Sequence, residues 1–378
     1  MTKPAFFAPD FARAPFAGAP EATFASLPAD GVLPEGFFST SNLPTYVRVG
    51  GRWLTPDRPR MDCVIVKRPD GGLETIEPRR LARGELVAMG EAEDGSQGIY
   101  VHSEGFLGGS HSANEFRFMS TEVSREKPVN YEELAARVEQ ERRNDGYLVW
   151  VAGPALVHSR ARTDFEWFIR EGYVQAVLIG NAVAVHDIEA AIYGTTLGMS
   201  NKGVPTEGGH GLHMRAINRI RAAGSIENAV AQGVVTSGIM HTVVTCGVPY
   251  VLAGSIRDDG PLPGVLTDML VAQDAMRQHT MKATMAILVA TALHAIATGN
   301  MLPAFVQNAD GTMRELPTIC VDSSEFVVSK LKDRGTHQAF GVVTNAQDFM
   351  HILRLYVERE LESRAATARA TTATAAAR

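Results

Sequence analysis

A histidine–acid grouping, a histidine pair and a series of small-residue turns hold the residues of this chain that could do chemistry. His186-Asp187-x-Glu189 and His210-x-x-His213 bring imidazoles and carboxylates within a turn of one another on a helix. Such groups bind metals, move protons or hold polar substrates. No third ligand stands at a recognised metal spacing, so no metal is expected; proton-handling or substrate-binding histidines are the better functional reading. For each histidine taken singly, a satisfied structural role is the alternative. Cys320-Val321-Asp322-Ser323 sets an acid at the end of an apolar run. There it could bind ribose hydroxyls or cap the following helix, and the two roles are compatible. The turns Ile179-Gly180-Asn181-Ala182, Ala253–Pro261 and Thr298–Pro303 are of a third kind. Small residues let main-chain N–H groups approach a phosphate, and an asparagine both donates and accepts. Each alone is an ordinary turn, and the three together point to a ligand cleft. No G-x-G-x-x-G follows a strand, and Ser237 lacks the G-x-S-x-G elbow of a serine hydrolase. Cys246, before Gly247-Val248-Pro249, is expected to be buried and inert.

These residues need a frame. From Tyr46 to Phe118, short β-like runs (Tyr46–Val49, Cys63–Val66, Leu86–Met89, Gly98–Val101) alternate with turns rich in Gly, Pro and Asp, which predicts a small β-rich domain, barrel or sandwich. From Tyr131 the texture changes. Helix is expected at Tyr131–Asn144, Thr163–Glu171, Asp187–Tyr193, Ser225–Gln232, most of Met269–Thr298, Ser324–Asp333 and a last stretch to about Glu362. Apolar, β-branched strands are expected at Tyr147–Ala152, Tyr173–Ile179, Tyr250–Ala253, Thr318–Val321 and Ala339–Val343. Such alternation means an open, doubly wound parallel sheet, whose ligands bind beyond the strands' carboxyl ends. The division expected is an extended arm over 1–30, the β-rich domain over 31–128, the α/β domain over 129–362 and a disordered tail over 363–378. Phe6, Phe7, Phe11 and Phe16 of the arm have few partners expected on their own domain, which predicts a homo-oligomer.

Composition narrows the classes. The chain has 378 residues, 45% of them hydrophobic and 21% charged, which excludes a disordered chain. A formal net charge of −6 argues against a general nucleic-acid binder. Three scattered cysteines in no C-x-x-C pair predict neither a disulfide framework nor a zinc site and point to a reducing cytoplasm. No signal peptide and no membrane span are expected, the longest apolar stretch, Ala283–Ala297, falling short of the ~20 residues a span needs.

The order and spacing of the motifs resemble the LOR/SDH (lysine-oxoglutarate reductase/saccharopine dehydrogenase-like) family. That family includes archaeal-type ornithine cyclodeaminases and the C-terminal part of bifunctional arginine dihydrolase/ornithine cyclodeaminases. The matching stretches are Leu33–Pro44, Phe118–Pro128, Gly153–His158, Gly180–Glu189, Gly194–Gly198, Arg215–Ile226, Gly254–Pro263, Gly299–Ala304, Val321-Asp322 and Lys330–Gly335. The resemblance implies a Rossmann-like domain that holds NAD without the glycine fingerprint. The cofactor residues implied are Asn181, Ala182, Asp259, Asn300, Met301, Leu302, Pro303, Asp322, Thr344 and Asn345. The activity implied is conversion of L-ornithine to L-proline and ammonia by internal hydride transfer. Candidate bases for the amine protons are Asp258, Asp259, Glu122 and His213. Arg257, Lys127 and Arg215 are candidates for the substrate carboxylate.

Two departures bear on the substrate. The family's G-H-R-H-H-L run is here Gly209-His210-Gly211-Leu212-His213-Met214, and the T-D-V after the last strand is Thr344-Asn345-Ala346. The rival expectations are an NAD-dependent oxidoreductase or cyclodeaminase acting on another amino acid, and a non-catalytic NAD-binding sensor or assembly protein.

Overall fold

Leu148-Val149-Trp150-Val151-Ala152 is five consecutive fully buried residues, a run that only a strand covered on both faces can carry. It is the centre of the fold. The structure, a computed structural model, describes residues 6–106, 129–158, 161–200, 203–258, 260–308, 310–334 and 339–376. Two units emerge: Met1–Val123 with Ile296–Thr318 and Lys332–Ala339, and Ser124–Ala295 with Ile319–Leu331 and Phe340–Arg378.

The first unit is β-rich, as expected. Strands β1 (Thr23–Ser26), β2 (Thr45–Val49), β3 (Arg52–Leu54), β4 (Val64–Lys67), β5 (Leu73–Ile76), β6 (Leu86–Met89) and β7 (Ile99–Val101) form two antiparallel sheets. Their orders are β1-β6-β4-β5 and β3-β2-β7. Val47, Ile65, Leu73, Ala88 and Ile99 of the two sheets share one core. Two expectations for the N-terminal arm are corrected. Residues 23–26 are a strand of this unit, pairing Thr23 with Met89. Three of the four phenylalanines also have ring partners on their own unit: Phe11 stacks on Trp53 at 4.9 Å, Phe16 lies 4.6 Å from Tyr100, and Phe6 lies 5.0 Å from Phe106. The observation behind the expected oligomer is thus reduced to Phe7, which is exposed.

The second unit is a Rossmann-like sheet. It takes β8 (Leu148–Ala152), β9 (Ala176–Gly180), β12 (Tyr250–Ala253), β13 (Met285–Val289), β16 (Thr318–Asp322) and β17 (Ala339–Val343) in the order β12-β9-β8-β13-β16-β17. The strands are parallel, with Trp150 opposite both Val177 and Ile287. Strand order therefore reverses between β8 and β13, the switch point of the dinucleotide-binding topology. The helices are α1 (Tyr131–Arg143), α2 (Ala161–Arg170), α3 (Asn181–Tyr193), α4 (Leu212–Ala223), α5 (Ile226–Ala231), α6 (Ile239–Thr245), α7 (Met269–Thr280), α8 (Ala292–Met301), α9 (Glu325–Arg334) and α10 (Ala346–Ala376). Short pairs β10–β11 (Thr195–Thr196, Met199–Ser200) and β14–β15 (Val306–Gln307, Met313–Arg314) complete the described elements.

Four further expectations change. The stretch 269–298 is not one helix but α7, β13 and the start of α8. Residues 363–376, expected to be a disordered tail, continue α10. The α/β region 129–362 is not contiguous, since 296–318 and 332–339 group with the first unit. Cys246 is exposed, because it lies at the carboxyl end of the short helix α6.

Candidate functional site

The backbones of β8 and β13 meet closely just beyond their carboxyl ends. Gly153, after β8, donates its N–H to Val289 O of β13 at 2.8 Å. A Cβ on Gly153 would stand 1.7 Å from Ala290 O, so only glycine fits. Ala290 itself adopts φ 55°, the left-handed region that a side chain resists. This constrained backbone is the floor of the switch-point crevice.

Helix α3 opens onto the same edge. Its N-cap, Gly180, has no side chain to satisfy the first N–H groups of the helix. A Cβ there would lie 2.6 Å from His294 Cε1, so the imidazole sits against the glycine. Asn181, buried at the first helical position, uses Oδ1 to accept the N–H of Leu262 at 3.0 Å. It thereby ties the loop after β12 to the mouth of α3. In that loop Asp258 Oδ2 accepts the N–H of Ser255 at 2.8 Å.

His294, in the first turn of α8, was not among the residues expected. Burial lowers its pKa, and the nearby Asp258 carboxylate acts in the opposite direction. The imidazole is therefore neutral at pH 7 and able to accept a proton. Nothing near it in the sequence marks it, since Asp258 reaches it only through the fold.

The other expected residues sort as follows. Asp322, half-buried at the carboxyl end of β16, accepts the Ser324 N–H on Oδ1 at 2.9 Å, so one oxygen serves the turn. Asn345 caps α10: Oδ1 accepts from Asp348 N at 2.8 Å while its amide donates to Asp348 Oδ2 at 2.6 Å. Thr344 N–H bonds Asp322 O at 3.0 Å, which joins the two strand ends. Ala182 follows Asn181 in the open turn of α3. Asn300, Met301, Leu302 and Pro303 belong to the first unit, and the last three are buried. The carbonyl oxygen of the Asn300 side chain and the hydroxyl of Thr298 are buried without a hydrogen-bond partner. Arg257 and Arg215 are exposed, and His213 is half-buried at the start of α4. Glu122, Lys127 and Asp259 lie outside the described residues.

Among the described residues no group of three or more His, Cys, Asp or Glu side chains could hold a metal ion. No described helix is long and apolar enough to cross a membrane. What the arrangement offers is an anion-accepting helix mouth lined by glycine and a neutral imidazole beside a carboxylate. It adds an acid at a neighbouring strand end. These fit a dinucleotide, whose pyrophosphate seeks N–H groups and whose riboses seek acceptors.

Known proteins share this architecture. Residues 132–353 match the family described as arginine dihydrolase ArgZ-like, C-terminal, Rossmann fold, and residues 44–132 match the first region of the same C-terminal part. The ornithine cyclodeaminase of Methanopyrus kandleri is 45% identical over 327 residues, covering 85% of this chain and 75% of that protein. The bifunctional arginine dihydrolase/ornithine cyclodeaminase AgrE of Nostoc is 39% identical, over 87% of this chain and 46% of that one. Among solved structures, a conserved LOR/SDH protein of Methanococcus maripaludis superposes with a TM-score of 0.80 at 41% identity, covering 90% of this chain and 99% of that chain. The ternary complex of AgrE with ornithine and NAD+ superposes with a TM-score of 0.58 at 35% identity, over 91% of this chain and 47% of that one.

Proposed function

This chain belongs to the family of the ArgZ-like C-terminal region and the archaeal ornithine cyclodeaminases, and from that premise we propose that it is an NAD-dependent ornithine cyclodeaminase. The reaction converts L-ornithine to L-proline with loss of ammonia. The observation that carries the reading is the glycine-lined mouth of α3 at the end of β9, with the neutral His294 against it.

NAD, when bound, supplies a reversible two-electron oxidation at the substrate's Cα, so no external oxidant is consumed. The N–H groups of Asn181 and Ala182 at the open helix end would hold its pyrophosphate. Asp322 would accept from ribose hydroxyls, and Asn300 to Pro303, Thr344 and Asn345 are further cofactor contacts by family resemblance. His294, held neutral by burial, would take an amine proton at a ring nitrogen, with Asp258 steadying the charge that results. Arg257 and Arg215 would offer guanidinium groups to the α-carboxylate; Lys127, Glu122, Asp259 and His213 remain as the other candidates for binding and proton transfer.

The test is product analysis with [δ-15N]ornithine and NAD+. Labelled proline with no accumulating NADH is expected. Net NADH would mean a dehydrogenase, and NAD binding with ornithine and other diamino acids unchanged would mean a sensor. A second substrate is favoured by one observation only. The altered Gly209–Met214 segment packs against the Thr195–Ser200 turn, a Cβ on Gly198 lying 2.4 Å from Gly209 C, so its changes bear on a structured surface. A panel of amino acids addresses that reading.

A further inference from the structure

Four of the motif segments converge on a polar cluster distinct from the crevice floor. His186, on the second turn of α3, directs Nδ1 toward Glu189 Oε2 at 3.9 Å, an ion-pair distance longer than a hydrogen bond. That nitrogen is buried and has no hydrogen-bond partner among the described residues. Glu189 is fully buried and fully engaged: it accepts from Thr195 Oγ1 at 2.9 Å, Gly198 N at 2.9 Å and Leu197 N at 3.1 Å. Those three donors fix the carboxylate in position. They also fix Leu197 in the left-handed region, φ 50°, a conformation costly for a bulky residue. The His158 ring stands 5.2 Å from that of His186, and His158 is exposed.

A fixed carboxylate facing Nδ1 favours the tautomer with the proton on that nitrogen and leaves Nε2 as a lone-pair acceptor. Carboxylate, imidazole and solvent-facing imidazole thus run from the interior outward. We propose that His186, oriented by Glu189, accepts an amine proton of the substrate at Nε2 and that His158 passes it on to solvent. The steps are proton transfers: an N–H bond of the substrate ammonium breaks as an Nε2–H bond forms, that Nε2–H then breaks as a ring nitrogen of His158 takes the proton and gives it to water, and no electrons change hands. Glu189 is the positioning residue. This rests on the ornithine reading above, whose second amine requires a second acceptor beside His294.

The groups that face His186 from each element are His158 from the segment after β8, Glu189 on its own helix and His213 from α4. Burial and the two histidines keep it uncharged at neutral pH, with Glu189 acting against them, so its Nε2 lone pair carries no proton there.

The experiment pairs kinetics with nitrogen NMR on the full chain. His186→Gln should lower kcat on ornithine about a hundredfold or more, leave NAD affinity within about twofold, and regain activity with added imidazole. An unchanged kcat overturns the proposal, as does a loss that comes with weakened NAD binding and no rescue. 15N NMR of the wild-type imidazoles should show Nδ1–H and an unprotonated Nε2 for His186, a preference reduced in Glu189→Gln. The Nε2–H tautomer overturns the proposal even if ornithine proves not to be the substrate, whereas inert ornithine with the Nδ1–H tautomer sinks only the substrate.

Discussion

Asp187 and Arg162 form an ion pair in which Nε donates to Oδ1 at 2.7 Å, and the same carboxylate caps a helix distant in sequence. Oδ1 also accepts from Ile239 N at 2.9 Å and Oδ2 from Met240 N at 2.8 Å. Gly238, the N-cap of α6, has no side chain to do this, and none would fit: its φ is 102° and a Cβ would meet Arg162 Nη2 at 2.1 Å. Asp187→Ala removes the acceptor of Arg162 Nε and leaves two N–H groups unpaired at a fully buried site. It should destabilise the second unit by about 3–5 kcal/mol, measured by urea unfolding followed through tryptophan fluorescence. A loss below about 1 kcal/mol would show that water replaces the carboxylate there.

Asp322 separates capping from cofactor binding. Asp322→Asn keeps an oxygen for the Ser324 N–H but removes the charge and half the acceptor capacity. NAD affinity should fall about tenfold, corresponding to ~1.4 kcal/mol, while the Tm of the cofactor-free protein moves little. Titration calorimetry returning the wild-type Kd would take Asp322 out of the cofactor site.

Gly180→Ala tests the mouth of α3. The backbone there, φ −88°, accepts any residue, so the added methyl acts only through His294 Cε1, 2.6 Å away. Displacing the imidazole by a fraction of an ångström should lower kcat/KM about tenfold or more. The same change should leave the far-UV spectrum intact. Full activity would mean that His294 stands aside from the reaction.

Acid should weaken this protein through its histidines. His186 has its pKa pushed down from 6.5 to about 4, chiefly by burial, and His158 and His294 are lowered for the same first reason. Their unfolded forms bind protons first as pH falls below 6.5, so stability is full above that pH. It is lost progressively toward pH 4. Urea midpoints recorded from pH 7.5 to 4.5 should decline, and His186→Gln should flatten the decline. Parallel slopes for the two proteins would show that His186 titrates normally.

Much of the second unit was legible. Strands at Tyr250–Ala253 and Ala339–Val343 stood out as short apolar runs bounded by turn residues, and the ends of α1, α5 and α9 fell within a residue or two of their capping signals. Met285–Val289 was not legible. It sits inside a continuous apolar stretch where periodicity cannot separate a buried strand from a buried helix, yet it completes the switch point. The site shows the same division. Asn181 and Asp322 announced themselves by standing at strand ends. His294 and the His158–His186 pairing did not, because their neighbours come from other segments; only the spacing of His186 and Glu189, three apart on one helix, was written in the chain.

The two acids of α3 also differ in reach, with consequences for the order of assembly. The partners of Glu189 lie six to nine residues ahead, whereas the two amides that Asp187 caps lie 52 and 53 residues ahead and its partner Arg162 lies 25 behind. Closing the short loop costs less chain entropy and needs only α3 and the turn after it. The Asp187 clasp must wait until α4, α5 and the approach to α6 are in place. In pulse-labelled refolding, the amides of Leu197 and Gly198 should therefore gain protection before those of Ile239 and Met240. Two residues apart on one helix, one carboxylate closes a local turn early and the other latches the finished unit.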